Sequence, residues 1–210
     1  MKRKIYKKLI EWKENSNGKT ALLIDGARRV GKSYIVEKFA KENYKSFIVI
    51  DFNKVSEDVK NLFEYYLNDL DTLFLYLSNY FNVTLYERNS LIVFDEVQLY
   101  PKARSAIKYL IEDGRYDYIE TGSLMSIKKN VKNILIPSEE QHIEMHPMDF
   151  EEFLWAIRKL QYNGFNKKML WRKKAARSSN ASKSNGLFQT IYDSWRYATS
   201  SRRICKNKRF

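Results

Sequence analysis

Apolar residues along this chain fall into two rhythms. Largely apolar stretches at 21–24, 46–52 (SFIVIDF) and 90–94 read as strands, the second too continuous for burial on one face only, and 116–120 is a fourth strand candidate. A fifth strand is expected within 133–145. Between them, apolar positions recur at helical spacing: over 34–41, over 57–80 (Val59, Leu62, Phe63, Tyr66, Leu70, Leu73, Leu77, Tyr80), and over 103–113. The aromatic density of 57–80 reads as core, and the stretch as one or two helices. Pro101 stands where a helix can begin and Gly114 where it stops. A further helix begins over 149–155. Ahead of the domain, Ile5, Leu9 and Trp12 mark an amphipathic helix over 2–12, with its lysines in water, ending in the turn-rich stretch 15–18. Strands alternating with helices predict an α/β fold: a three-layer sandwich around a mainly parallel five-stranded sheet, helices on both faces.

The first strand and helix enclose ALLIDGARRVGKS, in which Gly26 and Gly31-Lys32-Ser33 complete G-x-x-x-x-G-K-S. Strand before and helix after is the context this phosphate-binding loop requires. Glycine allows successive backbone N–H groups to point at one anion, and the new helix adds its positive end. The loop, Gly26, Ala27, Arg28, Arg29, Val30, Gly31, Lys32, Ser33 and Tyr34, is therefore the expected ATP-binding segment. Lys32 would reach the β- and γ-phosphates, and the Ser33 hydroxyl would ligate Mg²⁺. Arg28 and Arg29 are candidates for phosphate or equally for solvent.

A loop of this kind only binds. The second half of the chemistry is expected from LIVFDE, where an apolar strand runs into Asp95 and Glu96, the form of a Walker B element. Asp95 would hold the Mg²⁺ shell and Glu96 would orient the attacking water. Thr121 and Ser123 close the fourth strand at the edge where ligands of open α/β sheets collect, as contacts for the γ-phosphate or lytic water, or as turn caps. His142 and His146 are four apart, but the stretch reads extended before Pro147, so no metal pair is assigned there.

Composition changes this picture in one place. The chain has 210 residues, a formal net charge of +13 and one cysteine, Cys205, which excludes an internal disulfide. No apolar run reaches membrane-spanning length, and the basic N-terminus lacks the apolar core of a signal peptide. A cytoplasmic protein is the default expectation, with no membrane partner. The charge is uneven: residues 1–156 hold 23 Lys+Arg against 24 Asp+Glu, whereas 157–210 hold 15 Lys+Arg against Asp193 alone.

GARRVGKS, LIVFDEVQ, YIETGS and HPMDFEEFL, in that order and spacing, resemble a large group of bacterial AAA+-superfamily ATPases. In that group the P-loop core is followed by an uncharacterised, often nuclease-like C-terminal domain. The resemblance covers about residues 1–156. It implies ATP-binding roles for Gly31, Lys32, Ser33, Asp95 and Glu96, and a sensor-like role for Thr121 or Ser123. Many relatives carry a Gly-Arg pair shortly before the Pro-rich segment. Here Ile136-Pro137-Ser138-Glu139 stands instead, so the resemblance does not extend to an arginine finger from this region.

The expected organisation is a helix and connector over 1–17, an ATPase core over 18–156 and a basic tail over 157–210, largely disordered apart from a short helix around 165–177. Two origins of the tail stay open. A basic arm would bind nucleic acid through its charge. Alternatively, a frameshift near 156–158 replaced the native domain. Trp195 is necessarily TGG, so the +1 frame reads glycine there, and 192–201 can be re-read as a glycine-rich motif of the group. The gene sequence decides between them, since early stops in that frame exclude the frameshift. Without the lid domain of AAA+ proteins, a core that binds MgATP and hydrolyses it slowly is expected, with an inactive remnant as the contrary case.

Overall fold

In a computed structural model of the chain, the described residues are 2–123 and 140–156. The tail, with the helix expected over 165–177, lies outside them, as does the segment 124–139. Residues 4–146 form one unit; residues 1–3 and 147–210 belong to a second.

In the first unit the four stretches and the end of 133–145 become five strands: β1 (Ala21–Gly26), β2 (Ser46–Asp51), β3 (Ser90–Asp95), β4 (Asp117–Thr121) and β5 (Glu140–Met145). They lie in the order β2-β3-β4-β1-β5, and every neighbouring pair is parallel. The sheet is thus wholly parallel where a mainly parallel one is expected from the sequence. All residues of β1, β3 and β4 are buried, which is why β1 and β3 read as runs without alternation.

The helices are α1 (Ile5–Ser16), α2 (Lys32–Asn43), α3 (Glu57–Tyr65), α4 (Leu70–Phe81) and α5 (Pro101–Asp113). Two apolar clusters divide the sheet's faces. Leu9 and Trp12 of α1 and Ile35, Val36 and Phe39 of α2 pack with Leu22, Ile24, Leu91, Val93 and Ile119. Val59, Phe63, Leu73, Leu77, Ile107 and Leu110 of α3, α4 and α5 pack with Ile48, Ile50, Ile92, Phe94 and Tyr118. Alternate residues of each strand feed opposite clusters, giving helix, sheet and helix as three layers.

The stretch 57–80 breaks into two helices because Asp69 caps the second, accepting the Thr72 backbone N–H at 3.1 Å. Its aromatics divide: Phe63 and Phe74 are core, whereas Tyr65, Tyr76 and Tyr80 are exposed. Pro101 opens α5 and Gly114, at φ 73°, closes it.

In the second unit, α6 (Phe150–Ala156) opens with a reciprocal capping box. The Glu152 N–H donates to Asp149 Oδ1 at 2.8 Å, and the Asp149 N–H to Glu152 Oε2 at 3.2 Å.

Candidate functional site

The carboxyl edge of the sheet, on the α2 side, gathers the residues singled out above. The loop between β1 and α2 turns through residues that accept unusual backbone angles: φ is 143° at Gly26, 65° at Arg29 and 96° at Gly31. Gly26 is obligatory on packing grounds as well. A Cβ there would stand 2.2 Å from the Met145 carbonyl oxygen of β5. Gly31 is the N-cap of α2 and offers no side chain to its first turn, and a helix start of this kind is a position that suits an anion.

Lys32 is folded back into the loop and only 7% exposed. Its ammonium donates to the carbonyls of Gly26 at 3.2 Å and Ala27 at 3.1 Å. Burial pulls its pKa below the ordinary lysine value, while the charges of Glu96, Asp95 and Asp25 pull it back up and Arg28 pushes it down. The amine is therefore held in a low-dielectric pocket of its own loop, in the field of three carboxylates.

Asp95 is the last residue of β3, not the first of the loop, and it is buried. Its Oδ1 accepts two hydrogen bonds, one from the Thr121 hydroxyl and one from the Glu96 backbone N–H at 3.2 Å. Glu96 takes the left-handed conformation, φ 54° and ψ 42°, a cost for a residue with a Cβ that concentrates at functional positions. The Gln98 side-chain amide donates to Glu96 Oε2, fixing that carboxylate's direction. Thr121 lies inside β4, level with Ile24 of β1. Gly122 follows, its N–H donating to the Ile24 carbonyl at 3.3 Å, and Ser123 is buried beyond it.

Lys32, Asp95, Glu96 and Thr121 are thus brought together. Ala27, Arg28, Arg29 and Tyr34 are exposed, Ser33 is half-buried, and Val30 is a core residue of the α2-side cluster, available only through its backbone. His142 lies on β5 with Nε2 2.8 Å from Asp25 Oδ1, and His146 lies 3.5 Å from Glu144. Among the described residues no three His, Cys, Asp or Glu side chains group as a metal cage.

Sequence reasoning passed over several participants. Gln98, two residues past Glu96, forms no recognisable spacing with the site residues. Asp51 ends β2 as Asp95 ends β3, and the parallel between VIDF and VFDE was the available signal. Asp25, just before the glycine, is nearly fully buried and pairs with His142.

A parallel α/β sheet with a glycine loop leading into a helix at its carboxyl edge, and a buried aspartate ending the next strand but one, defines a nucleotide-binding domain of the ATPase type. The chain belongs to the AAA-domain family, whose model matches residues 18–154. It is a P-loop ATPase of the AAA superfamily. No curated protein matches the chain. Among solved structures it is similar to the Orc1 protein of Aeropyrum pernix in complex with DNA, at 11% identity and a TM-score of 0.46. That match covers 74% of this chain and 49% of the other, so the chain spans about half the length of that structure. Among the described residues no helix is long and apolar enough to cross a membrane.

Proposed function

We propose that the chain binds MgATP at this edge and hydrolyses it slowly. The observation that carries the reading is the placement of the Lys32 ammonium. It is enclosed by the loop backbone, donates to two main-chain carbonyls of that loop, and lies in the field of Asp95 and Glu96. Two carbonyls are weak partners for a buried ammonium, and a polyphosphate is a stronger one.

The remaining parts fit the same ligand. The uncapped N-terminus of α2 suits phosphate oxygens. The Ser33 hydroxyl and Asp95 carboxylate supply hard oxygen donors of the kind Mg²⁺ takes, few in number because this ion keeps several waters and phosphate oxygens. Bound there, Mg²⁺ would neutralise charge on the phosphates. In the proposed mechanism Lys32 holds the β- and γ-phosphates, Thr121 and the Glu96 N–H hold Asp95 in orientation, and Gln98 holds Glu96 where it can accept a proton from water. The Thr121 hydroxyl, its one proton given to Asp95, can only accept from that water, and Ser123, two residues beyond β4, is the hydroxyl proposed to contact the γ-phosphate. Slow turnover is what these groups support by themselves, since an arginine finger, where one is supplied, is worth about 10³–10⁵ in rate.

Calorimetric titration of the full chain with ATP, with and without Mg²⁺, tests this. Binding should require Lys32 and weaken without Mg²⁺. Equal heats for wild type and Lys32→Ala would remove the proposal.

A second reading rests on charge: the 15 Lys+Arg of residues 157–210 suit sequence-independent binding to nucleic acid. A gel shift of the full chain at rising salt tests it. Binding that is lost steeply with salt supports this reading, and none at low salt excludes it.

A further inference from the structure

The second strand presents a device beside the site that the proposed mechanism leaves unused. Asp51 ends β2 and stands level with Asp95 in the parallel register of β2 and β3. The turn after it is pinned from both strands. The Phe52 N–H donates to the Asp95 carbonyl at 3.0 Å, and the N–H groups of Lys54 and Val55 both donate to the Asp51 carbonyl at 2.9 Å. The Asn53 N–H closes on Asp51 Oδ1 at 3.0 Å. The turn therefore hangs on the main chain of the aspartate assigned to Mg²⁺. What it presents is Lys54, whose Nζ lies 2.7 Å from Asp51 Oδ2.

From these contacts we infer that Lys54 is a tethered cation that reads the terminal phosphate of a bound nucleoside triphosphate, exchanging Asp51 for that phosphate. This rests on the nucleotide reading of the site.

The two ends of the pair differ in freedom. Asp51 is held by its turn and is 22% exposed, whereas the Lys54 side chain is 79% exposed. An exposed pair of this kind binds weakly, so its flexible end is free to change partner. The hydrogen bond and charge of Asp51 raise the Lys54 pKa, and the charges of Asp95 and, from α2, Glu37 add to it. Lys54 therefore lies within electrostatic reach of the proposed metal ligand. A divalent ion on Asp95 would cancel part of that attraction, and a triphosphate beside it would offer a doubly charged acceptor in place of a shared carboxylate. A diphosphate would not extend so far, so the exchange would distinguish the two nucleotides. In a chain where no arginine finger is expected from the segment before β5, a lysine within the same chain would supply that charge.

The test is binding, not turnover. The full-length wild type, Lys54→Ala and Lys54→Arg are titrated with ADP and with a non-hydrolysable ATP analogue, both with Mg²⁺. Lys54→Ala should lower the analogue's affinity about tenfold, the scale of one charge-assisted hydrogen bond, and leave ADP within about twofold. Lys54→Arg should restore most of the difference. An equal change for both nucleotides would make Lys54 a plain counter-ion of Asp51 and overturn the inference, as would no change in either. Lys32→Ala, run alongside, should lose both ligands. A wild type that binds neither would remove the nucleotide reading itself, and this inference with it.

Discussion

Thr121 hydroxyl donates to Asp95 Oδ1 across the seam between β4 and β3, at the end of two strands buried along their whole length. The contact joins the strand that ends in the sensor-like TGS to the one that ends in the acidic pair. It leaves the Asp95 carboxylate one fixed direction in which to offer its other oxygen. Thr121→Val keeps the shape and removes the donor. It should lower unfolding stability by about 1–2 kcal/mol, the cost of a buried acceptor losing one of its partners. It should also raise the Mg²⁺ concentration needed for nucleotide binding. Urea denaturation and Mg²⁺ titration check the two effects. Thr121→Ser, which keeps the hydroxyl, should restore the second.

One residue earlier, Glu120 is fully buried on the opposite face. It lies 3.7 Å from Arg104 Nε of α5, while Arg104 makes a two-oxygen contact with Glu140 of β5 at 2.9 Å to each. Burial holds the Glu120 carboxyl well above the ordinary glutamate range. The charge and hydrogen bond of Glu140 push it further, and Arg104 pulls it back. An acid that keeps its proton more tightly when folded contributes stability in full below its unfolded pKa, about 4.3. That contribution is lost as pH rises from there through the folded value. Glu120→Gln cannot ionise, so its stability relative to wild type should increase as pH rises from about 4 to 8. Parallel stability curves over that range would mean that Glu120 is not held protonated.

The same cluster predicts a non-additive pair. Glu140→Gln takes away the partner of a buried guanidinium, a loss worth about 3–5 kcal/mol when nothing replaces it. Here Glu120 is close enough to ionise in its place, so the single substitution should cost less than that. The double variant Glu120→Gln/Glu140→Gln has no carboxylate left for Arg104 and should cost more than the two single changes together. A double-mutant cycle in urea measures the difference.

How much of this was legible follows from the kind of signal each feature leaves. β1, β2, β3 and the glycine loop were visible because buried parallel strands leave nearly continuous apolar runs and the loop imposes a fixed spacing, whereas β5, EQHIEM, left only a broad expectation within 133–145. Asp95, Glu96 and Thr121 were visible because they end such runs. The strand order was not, since β1 enters between β4 and β5 through contacts that no local pattern records. Polar residues inside strands were hidden for a related reason. Glu120 follows Tyr118 and Ile119 and reads as the strand's end, yet it is core, and its partners Arg104 and Glu140 lie 16 and 20 residues away in sequence. Asp51 and Lys54 look like an ordinary turn until β2 and β3 are laid side by side.

Gly26 shows the loop's demand on the fold as a whole. At φ 143°, with β5 backbone against it, an added Cβ meets the Met145 carbonyl oxygen at 2.2 Å and the carbonyl carbon at 3.1 Å. Neither is the end of a flexible side chain, so β5 itself must shift. Gly26→Ala should therefore destabilise by more than the about 1–3 kcal/mol of a strained backbone angle alone, and should weaken nucleotide binding by moving the Gly26 carbonyl that holds Lys32. Gly18→Ala is the control. It too has positive φ, 76°, but its nearest neighbour is a side chain, the Arg88 guanidinium, which can yield by loosening its pairing with Asp117 at 3.1 Å without moving a strand. It should cost about 1–2 kcal/mol, the strain of the left-handed angle, plus part of that pairing. Thermal unfolding of the two variants should separate them clearly.

Ligand-linked stability brings the site's parts into one measurement. A ligand that binds only the folded chain stabilises it by about 2.7 kcal/mol when present at a hundred times its dissociation constant. For a domain of this size that amounts to a rise in Tm of several degrees, about 2–4 °C per kcal/mol. The rise should appear with MgATP and fall when Mg²⁺ is chelated. Lys32→Ala should abolish it with or without the metal, because the loop then lacks the ammonium that the phosphates replace carbonyls to reach. Asp95→Asn should respond differently: it should leave the metal-free shift in place and remove only the increment due to Mg²⁺. If Asp95→Asn and Lys32→Ala lost the same increment, the division of labour between ammonium and carboxylate would be wrong, whatever the affinity of the wild type.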